Sequence, residues 1–190
     1  MGTDKALLPG PDGRPMAVVA ADALAGAGAA RIAVVGGDGA RLLELGLEPL
    51  PDLHPGEGPL GGIVTALTAL GPDADLVVVL ACDMPEVGPE VPGALVAALD
   101  AAPTAGVAVA LVGEREQPLT ACWRSSVARP VLEEAFAAGE RAPRHLLGRL
   151  GVVRVGGLPV GQLLDVDSPE DLRRYAGPPL HRPLDEQDPA

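Results

Sequence analysis

Aromatic side chains are scarce in this sequence, with one Trp, one Tyr and one Phe among 190 residues. A well-packed core must therefore come from aliphatic residues and Ala, and the hydrophobic share is 47%. Basic residues are also scarce, since the sequence has 14 Lys and Arg but 26 Asp and Glu, which gives a formal net charge of −12. This balance argues against a general nucleic-acid backbone binder. A polyanionic substrate would need a metal ion or locally placed cations.

Cysteine is rare as well, because Cys82 and Cys122 are the only two and lie 40 positions apart. No Cys-x-x-Cys pair and no His pair at zinc spacing is present, and both cysteines lie in apolar, strand-like runs (VVVLACDMP and LTACWR), so two buried free thiols are expected. A charged and apolar leader and an uninterrupted apolar run of about 18 residues are also lacking. These features favour a cytoplasmic protein with no membrane partner.

The sequence alternates between short apolar runs and Ala- and Leu-rich stretches. Continuous apolar runs bounded by Gly or polar residues are typical of strands buried on both faces of a parallel sheet. We predict strands at 31–36, 75–81, 105–112 and 152–155. We predict helices at 15–27, 39–45, 60–70, 91–100, 126–138 and 143–150, and another helix start at Ser168. This order implies a Rossmann-like, doubly wound α/β fold with a mostly parallel sheet.

The first predicted strand begins late in the chain. A doubly wound nucleotide-binding domain normally opens with its central strand, which leads directly into the phosphate loop. Here residues 1–8 read MGTDKALL, and no strand pattern precedes residue 31. The sheet is therefore expected to lack its first central strand. We predict one domain at 1–176, followed by a mobile, Pro-rich and acidic tail at 177–190.

Asp83 is the best candidate for metal chemistry. It follows the apolar run 75–81 in the segment CDMP, and ligands of open α/β sheets gather at the carboxyl ends of the strands. A carboxylate in this position can bind Mg²⁺ beside a triphosphate, or it can simply terminate the strand.

Three further features could bind anions. The glycines of 58–62 surround a predicted helix start, where backbone N–H groups can face an anion or a nucleobase, although such turns are also ordinary in loops. Lys5 could place a cation over phosphates. The basic cluster at 141–149 could receive a second anionic substrate, or it could be a solvated helix face paired in part with Glu140.

Six motifs follow one another along the chain: MGTDKALL, DLHPGEGPLGGIVTAL, VVVLACDMP, GEREQPLTACW, AGERAPRHLLGRLG and DVDSPEDL. Together they resemble the molybdenum cofactor guanylyltransferase family over about residues 1–176. The combination of GxDKxLL, GPLxG and CDxP is the most specific part of the resemblance. It implies a nucleotidyltransferase that joins GMP from GTP to molybdopterin, with Mg²⁺ as cofactor.

The resemblance also implies roles for individual residues. Lys5 and Asp83 would be catalytic, because Lys5 corresponds to a lysine that contacts the GTP phosphates and Asp83 to an aspartate that binds Mg²⁺ and nucleotide. The implied nucleotide-binding residues are Gly2, Lys5, Asp52, Gly58, Pro59, Leu60, Gly61 and Asp83. The residues implied on the molybdopterin side are Arg141, Asp165 and Asp167. Implied partners are GTP, the molybdopterin acceptor and, transiently, molybdenum-cofactor enzymes or insertion factors.

The sequence departs from the family pattern in two serious places, besides a family asparagine that is replaced in the stretch 36–38. The family opens with a strand and a glycine-rich LAGGxSxRMG loop, of which only Met1 and Gly2 remain. We expect either a translation start upstream of Met1, which is favoured, or a truncated and inactive form. The family's Asn-x-Asn is Asp165-Val166-Asp167 here, and carboxylates in place of amides would repel an anionic pterin phosphate.

The implied reaction is attack of the molybdopterin phosphate on the α-phosphorus of GTP, with pyrophosphate leaving. Such a transfer needs positioning and charge neutralisation rather than an enzyme nucleophile. Two other functions remain open. One is a molybdopterin cytidylyltransferase or a related small nucleotidyltransferase, which DVDSPEDL also suits. The other is an inactive protein that binds a nucleotide or cofactor and has lost the glycine-rich loop.

Overall fold

The structure is a computed structural model that describes residues 5–166 and Asp171. The strands of this part are β1 (Ala33–Val35), β2 (Glu48–Leu50), β3 (Leu76–Leu80), β4 (Val107–Val112), β5 (Arg115–Arg124) and β6 (Val152–Val155). The α-helices are α1 (Met16–Gly26), α2 (Gly39–Glu44), α3 (Pro59–Leu70), α4 (Glu90–Asp100) and α5 (Ser125–Ala137). Short 3-10 helices lie at Lys5–Leu7, Pro143–Arg149 and Val160–Leu163. None of these helices is long and apolar enough to cross a membrane.

Local sequence explains where two of the helices begin. The side chain of Asp38 accepts hydrogen bonds from the N–H groups of Ala40 and Arg41 and thereby caps α2. Pro59 is the first residue of α3, where its fixed φ suits the helix and its missing N–H leaves no bond unmade. Gly58 precedes it at φ +83°, a left-handed conformation that favours glycine.

Helices cover both faces of the main sheet. Because neighbouring side chains of a strand point to opposite faces, Val77 and Trp123 pack with α3 and α5 on one side. Ala108 and Cys122 pack with α1 and α4 on the other side. Both cores consist mainly of aliphatic residues and Ala, with Trp123 as the largest fully buried side chain. The predicted α/β class and the aliphatic core are confirmed.

The sheet is mixed, so the expectation of a mostly parallel sheet is wrong. The main sheet has the order β3-β5-β4-β6, with β5 antiparallel to both neighbours and β4 parallel to β6. The second half of β5 is the strand-like run LTACWR, but we did not place a strand of the sheet there, because Glu116, Gln117 and Pro118 interrupt the apolar pattern before it. Pro118 is tolerated in the strand because the β4–β5 register shifts between Val109 and Ala110, where ladder bonds are lost.

The other predicted elements lie within about two residues of their expected ends. The segment 143–150 is a 3-10 helix rather than an α-helix. The short strand β2 was not predicted, because its three residues include a Glu and a Pro. The helix start at Ser168 and the tail at 177–190 lie outside the described residues.

The two cysteines differ in burial. Cys122 is fully buried in β5, and burial raises the pKa of its thiol to about 12, so it is protonated and inert at neutral pH. Cys82 follows the end of β3 and is only half-buried. The expectation of a buried free thiol is therefore confirmed for Cys122 and wrong for Cys82, because the chain has already left the sheet there.

An apolar slot interrupts the sheet. In the described part of the chain β1 pairs with β2 and β3 pairs with β5, so β1 and β3 each have one unpaired edge. Both strands line two cavities, of about 220 and 420 Å³, which share Leu24, Ala33 and Val78 among their walls. The small parallel pair β1–β2 is thus separated from the main sheet by this slot.

Candidate functional site

The carboxyl end of β3 brings three distant parts of the chain together. Asp83 is half-buried in the turn after β3, and its carbonyl oxygen accepts a hydrogen bond of 2.9 Å from the N–H of Val166. The carbonyl oxygen of Val166 accepts one of 3.4 Å from Nζ of Lys5. The exposed Asp165 precedes Val166. The structure therefore brings Lys5, Asp83 and Asp165, all predicted from the sequence, together at the carboxyl end of β3.

The turn after β3 is anchored at both ends. The side chains of Met84 and Val87 are buried in the core under α4. Gln162 holds the far end, because its Oε1 accepts from the N–H of Gly88 at 3.0 Å and its Nε2 donates to Oε1 of Glu90 at 2.5 Å. This donation keeps the pKa of Glu90 below its usual value. A single glutamine in a short 3-10 helix carries no sequence pattern, so Gln162 was not predicted.

Asp52 fixes the loop between β2 and α3. Its Oδ1 accepts hydrogen bonds from the N–H of His54 at 2.9 Å and from Oγ1 of Thr65 at 3.0 Å. Oγ1 of Thr65 accepts in turn from the N–H of Leu53 at 3.1 Å. One carboxylate oxygen is therefore occupied by the protein itself. Asp52 therefore shapes this loop, and its predicted role in nucleotide binding would be to hold the loop in position.

The backbone N–H groups at the start of α3 are hydrogen-bonded to other groups of the protein. The N–H of Leu60 donates to the carbonyl oxygen of Arg141 at 3.3 Å, and that of Gly61 donates to Gly58 at 3.1 Å. The Leu60 side chain is fully buried. A Cβ built on Gly61 would lie 2.9 Å from Cβ of His54, so glycine is needed there for close packing. The expectation of N–H groups that face an anion is therefore not met at Leu60 and Gly61.

Arg141 braces the same loop from the other side. Its Nη2 pairs with Oε2 of Glu57 at 2.5 Å, and its Nη1 donates to the carbonyl oxygen of Phe136 at 2.9 Å. The guanidinium lies 4.1 Å from the centroid of the Phe136 ring, which itself lies 4.3 Å from the ring of His54. The structure thus brings Arg141 to the α3 loop. Glu57 was not predicted, because nothing in the sequence pairs it with Arg141.

Much of the basic cluster at 141–149 is paired within the protein. Glu140 accepts from the N–H groups of Ala142 and Arg141 at 2.8 Å each and interacts with Nδ1 of His145 at 3.0 Å. These contacts, first the one with Ala142, lower the pKa of Glu140 to about 2. Arg149 pairs with Glu134 at 2.8 Å. These contacts fit the second interpretation of the cluster, a solvated face partly paired with Glu140, better than a site for an anionic substrate.

The donor set at Asp83 suits one kind of metal site. Among residues 5–166 and 171, no group of three or more His, Cys, Asp or Glu is placed to hold a metal ion. Mg²⁺ at nucleotide sites commonly takes one or two protein carboxylates and completes its shell with phosphate oxygens and water. Asp83 beside Lys5 fits that substrate-assisted type. Gly2 and Asp167 lie outside the described residues, and their roles stay predictions.

The structure is a three-layer α/β fold with a carboxylate and a lysine at the carboxyl end of a strand. This arrangement is common among nucleotide-binding α/β proteins. Comparison with known proteins identifies the family. The match to the MobA-like NTP transferase domain family covers residues 1–155, and the chain belongs to this family.

Individual relatives agree with the family. The chain is 37% identical to a molybdenum cofactor guanylyltransferase of Cereibacter sphaeroides over 175 residues, which covers 91% of this chain and 86% of the relative. The fold matches molybdopterin-guanine dinucleotide biosynthesis protein A of Archaeoglobus fulgidus with a TM-score of 0.70 at 24% identity, covering 92% and 90% of the two chains. It also matches 2-C-methyl-D-erythritol 4-phosphate cytidylyltransferase of Thermus thermophilus with a TM-score of 0.68 at 21% identity, covering 93% of each chain.

Proposed function

We propose that this MobA-like nucleotidyltransferase transfers GMP from GTP to molybdopterin and releases pyrophosphate. The relative that is 37% identical over 91% of the chain is named a molybdenum cofactor guanylyltransferase, which supports this choice of substrates. The observation that carries the proposal is the junction of Lys5, Val166 and Asp83 at the carboxyl end of β3. It supplies a cation and a carboxylate where a nucleotide triphosphate would bind.

In the proposed reaction, an oxygen of the molybdopterin phosphate forms a bond to the α-phosphorus of GTP. The bond between that phosphorus and the α,β-bridging oxygen breaks, and pyrophosphate leaves with its electron pair. Asp83 would hold Mg²⁺, which when bound offsets the charge of the triphosphate and the leaving group. Lys5 would offset further negative charge on the phosphates. The protein's contribution is positioning and electrostatics, since no covalent intermediate is needed.

The substrates would occupy two sides of the Asp83 turn. On the nucleotide side we assign Gly2 and the loop that ends at Gly58 and Pro59, with Asp52 as the group that shapes it. Leu60 and Gly61 hold the start of α3 in place rather than contact the nucleotide. On the acceptor side we assign Asp165 and Asp167. Arg141, implied on this side by the family resemblance, pairs with Glu57 of the α3 loop, so we assign it to the nucleotide side, where it braces that loop. The proposed setting is the cytoplasm, with transient transfer of the product to molybdenum-cofactor enzymes or insertion factors.

A nucleotide competition assay tests the proposal. The chain is incubated with Mg²⁺, molybdopterin and equal amounts of GTP and CTP, and the dinucleotide products are separated. We expect the guanine product to exceed the cytosine product by at least about 10-fold, which is the product ratio for a difference of about 1.4 kcal/mol between transition states. A dominant cytosine product would establish the cytidylyltransferase alternative. Nucleotide binding without either product would establish the inactive binding protein.

A pair of substitutions tests the metal assignment. Asp83→Asn keeps the size of the side chain but removes the charge, so Mg²⁺-dependent turnover should fall by about 100-fold or more while the fold is retained. Asp73→Asn is the matched control, because Asp73 is exposed and lies before β3 rather than after it. Equal rates in the two variants would remove Asp83 from the metal site.

A further inference from the structure

The amino-terminal part of β5 reaches past the end of β3, at the edge of the sheet where the candidate site lies. Leu80, the last residue of β3, pairs with Thr120 of β5. Oγ1 of Thr120 donates to Sδ of Met84 at 3.5 Å, and Met84 directly follows Asp83. Gln117 precedes Thr120 by three residues of the same strand, a span of at most about 10 Å. Gln117 therefore lies close to the turn that carries Asp83.

A register shift decides which face of the sheet carries the Gln117 side chain. Val109 of β4 pairs with Ala121, but the next residue, Ala110, pairs with Gln117, so residues 118–120 of β5 have no partner on β4. A shift by an odd number of residues moves the side chains beyond it to the other face. Bulges of this kind are common beside active sites, where they redirect a side chain. Gln117 thus shares the face of Ala110 rather than that of Val109 and Ala121.

The face that carries Gln117 is the acceptor side of the proposed site. Ala110 also pairs with Val155 of β6, and both side chains pack with α4 and Leu163. From Leu163 the chain continues to Asp165, which we assign to the acceptor side. The α3 loop, which we assign to the nucleotide side, leads into a helix that packs on the opposite face. Gln117 is therefore placed with the acceptor rather than with the nucleotide.

The side-chain amide of Gln117 is available to a ligand. It is half-buried, and no hydrogen bond of this amide to another residue is found in the described part of the chain. A primary amide offers two donors and one acceptor oxygen, and burying it in part costs free energy until these groups are paired. A phosphate group only accepts hydrogen bonds, so it would leave the amide oxygen unpaired. A neutral group that presents both an N–H and a C=O pairs with both ends of the amide.

We propose that the Gln117 amide recognises the pterin ring of the acceptor, rather than its phosphate, and so helps to select this substrate. A pterin ring carries an amino group, a ring N–H and a carbonyl oxygen along one edge, with which a primary amide forms two hydrogen bonds. This inference rests on the proposed function, because it names a contact of the acceptor in that reaction. The new bond forms at the phosphate, so Gln117 positions the acceptor and takes no part in the chemical step.

Binding of free pterin, which carries no phosphate, tests this contact apart from turnover. The full chain is titrated against the intrinsic fluorescence of the ring, and Mg²⁺-GTP is titrated separately by calorimetry. Gln117→Leu nearly keeps the volume but removes two hydrogen bonds, so the Kd of pterin should rise by about 10-fold or more, and that of GTP by less than ~2-fold. Glu116→Leu is the matched control, because Glu116 is the neighbouring residue on the other face and pairs only with the exposed Arg154 at 2.7 Å. It should leave both constants at the values of the parent chain.

In the transfer reaction, the same variant should separate the two substrates. Gln117→Leu should raise the KM of molybdopterin by about 10-fold and leave the KM of GTP and kcat at saturation close to those of the parent, because a contact made equally in the ground and transition states affects KM alone. Tm should stay within ~2 °C of the parent value. A residue that only stabilises the fold would instead lower Tm and weaken both substrates together.

The outcomes of these measurements are distinct. Equal affinity for pterin in Gln117→Leu and Glu116→Leu would overturn the proposal, as would a parent chain that binds no pterin at millimolar concentration. Weaker binding of GTP with unchanged binding of pterin would move Gln117 to the nucleotide side and would also overturn it. A parent chain that transfers no GMP but binds pterin through Gln117 would refute the proposed reaction and still establish this contact.

Discussion

At the scale of single residues, the position of Asp83 depends on groups that are themselves far from any substrate. Its carbonyl oxygen accepts a hydrogen bond from Val166. The turn that follows is held by hydrogen bonds of the Gln162 side chain with Gly88 and Glu90. A carboxylate that binds a divalent cation must be held within a fraction of an ångström of its working position. We therefore expect Gln162 to act as a positioning residue through the turn that carries Asp83.

Replacing Gln162 by Leu removes both side-chain hydrogen bonds at nearly constant volume. At about 1 kcal/mol for each bond, the Mg²⁺ concentration for half-maximal activity should rise by about 10-fold or more, with a smaller change in kcat at saturating Mg²⁺. Gln162→Glu keeps the acceptor for Gly88 but sets a second carboxylate against that of Glu90, so it should not recover this effect at neutral pH. Leu164→Ala, in an exposed position of the same segment, is the control. An unchanged Mg²⁺ dependence with a lower Tm would show that Gln162 only stabilises the fold.

Glu140 makes stability depend on acid pH. Its folded pKa is about 2 against an ordinary value of 4.5, because it accepts hydrogen bonds from Ala142, His145 and Arg141. The stabilisation is present above the unfolded pKa and is lost as the pH falls from about 5 towards 2, where the folded carboxylate is protonated. Tm should fall less over this window in Glu140→Gln than in the parent chain. The exposed Glu44→Gln serves as the control, and identical profiles for parent and Glu140→Gln would contradict the assignment.

At the scale of elements, the loop before α3 is braced from two sides. On one side, Asp52 accepts hydrogen bonds from His54 and Thr65. On the other side, the Arg141 side chain pairs with Glu57 and its carbonyl oxygen accepts from the N–H of Leu60. As a result, the N–H groups of Leu60 and Gly61 at the start of α3 already have hydrogen-bond acceptors within the protein. Nucleotide contacts in this region must then come from loop backbone and side chains rather than from the N–H groups of Leu60 and Gly61.

Two adjacent glycines of α3 should respond in opposite directions to the same substitution. A methyl group at Gly61 would lie 2.9 Å from Cβ of His54, so Gly61→Ala should lower the free energy of unfolding by about 1–3 kcal/mol. Gly62→Ala meets open space and gains helix propensity, so it should raise that free energy by up to about 1 kcal/mol. Urea unfolding of the three proteins measures both values. A loss of stability at Gly62, or none at Gly61, would contradict the packing described for this loop.

The elements that the sequence predicts are those whose pattern is local. β3 and α3 are continuous apolar or periodic runs with clear boundaries, and the predicted ends differ little from the observed ones. β5 is different, because Pro118 and the polar residues Glu116 and Gln117 before it are accommodated by a register shift against β4. The antiparallel insertion of β5 between β3 and β4 therefore could not be predicted from alternation of strands and helices.

The site shows the same division. Lys5 and Asp83 are recognisable because their motifs resemble those of a known family, and the structure brings them together through Val166. The side chains of Gln162 and Arg141 meet those of Glu90 and Glu57 across 72 and 84 positions of sequence. Such pairs leave no periodic pattern, so only the three-dimensional structure can reveal them.

At the scale of the whole molecule, two sheets flank an apolar slot, and the candidate site lies at the carboxyl end of β3, one of the strands that line it. The site and the slot therefore share one strand, β3, whose side chains line the slot and whose carboxyl end leads into the turn of Asp83.

The most direct test of the central claim follows the α-phosphorus of GTP. GTP labelled at that position is incubated with the chain, Mg²⁺ and molybdopterin, beside the Asp83→Asn and Asp73→Asn variants. We predict that the label enters a guanine dinucleotide of molybdopterin as unlabelled pyrophosphate appears in equal amount, and that only Asp83→Asn loses this transfer. Transfer at an undiminished rate in Asp83→Asn, or label that stays in GTP while the chain is folded and binds the nucleotide, would contradict it.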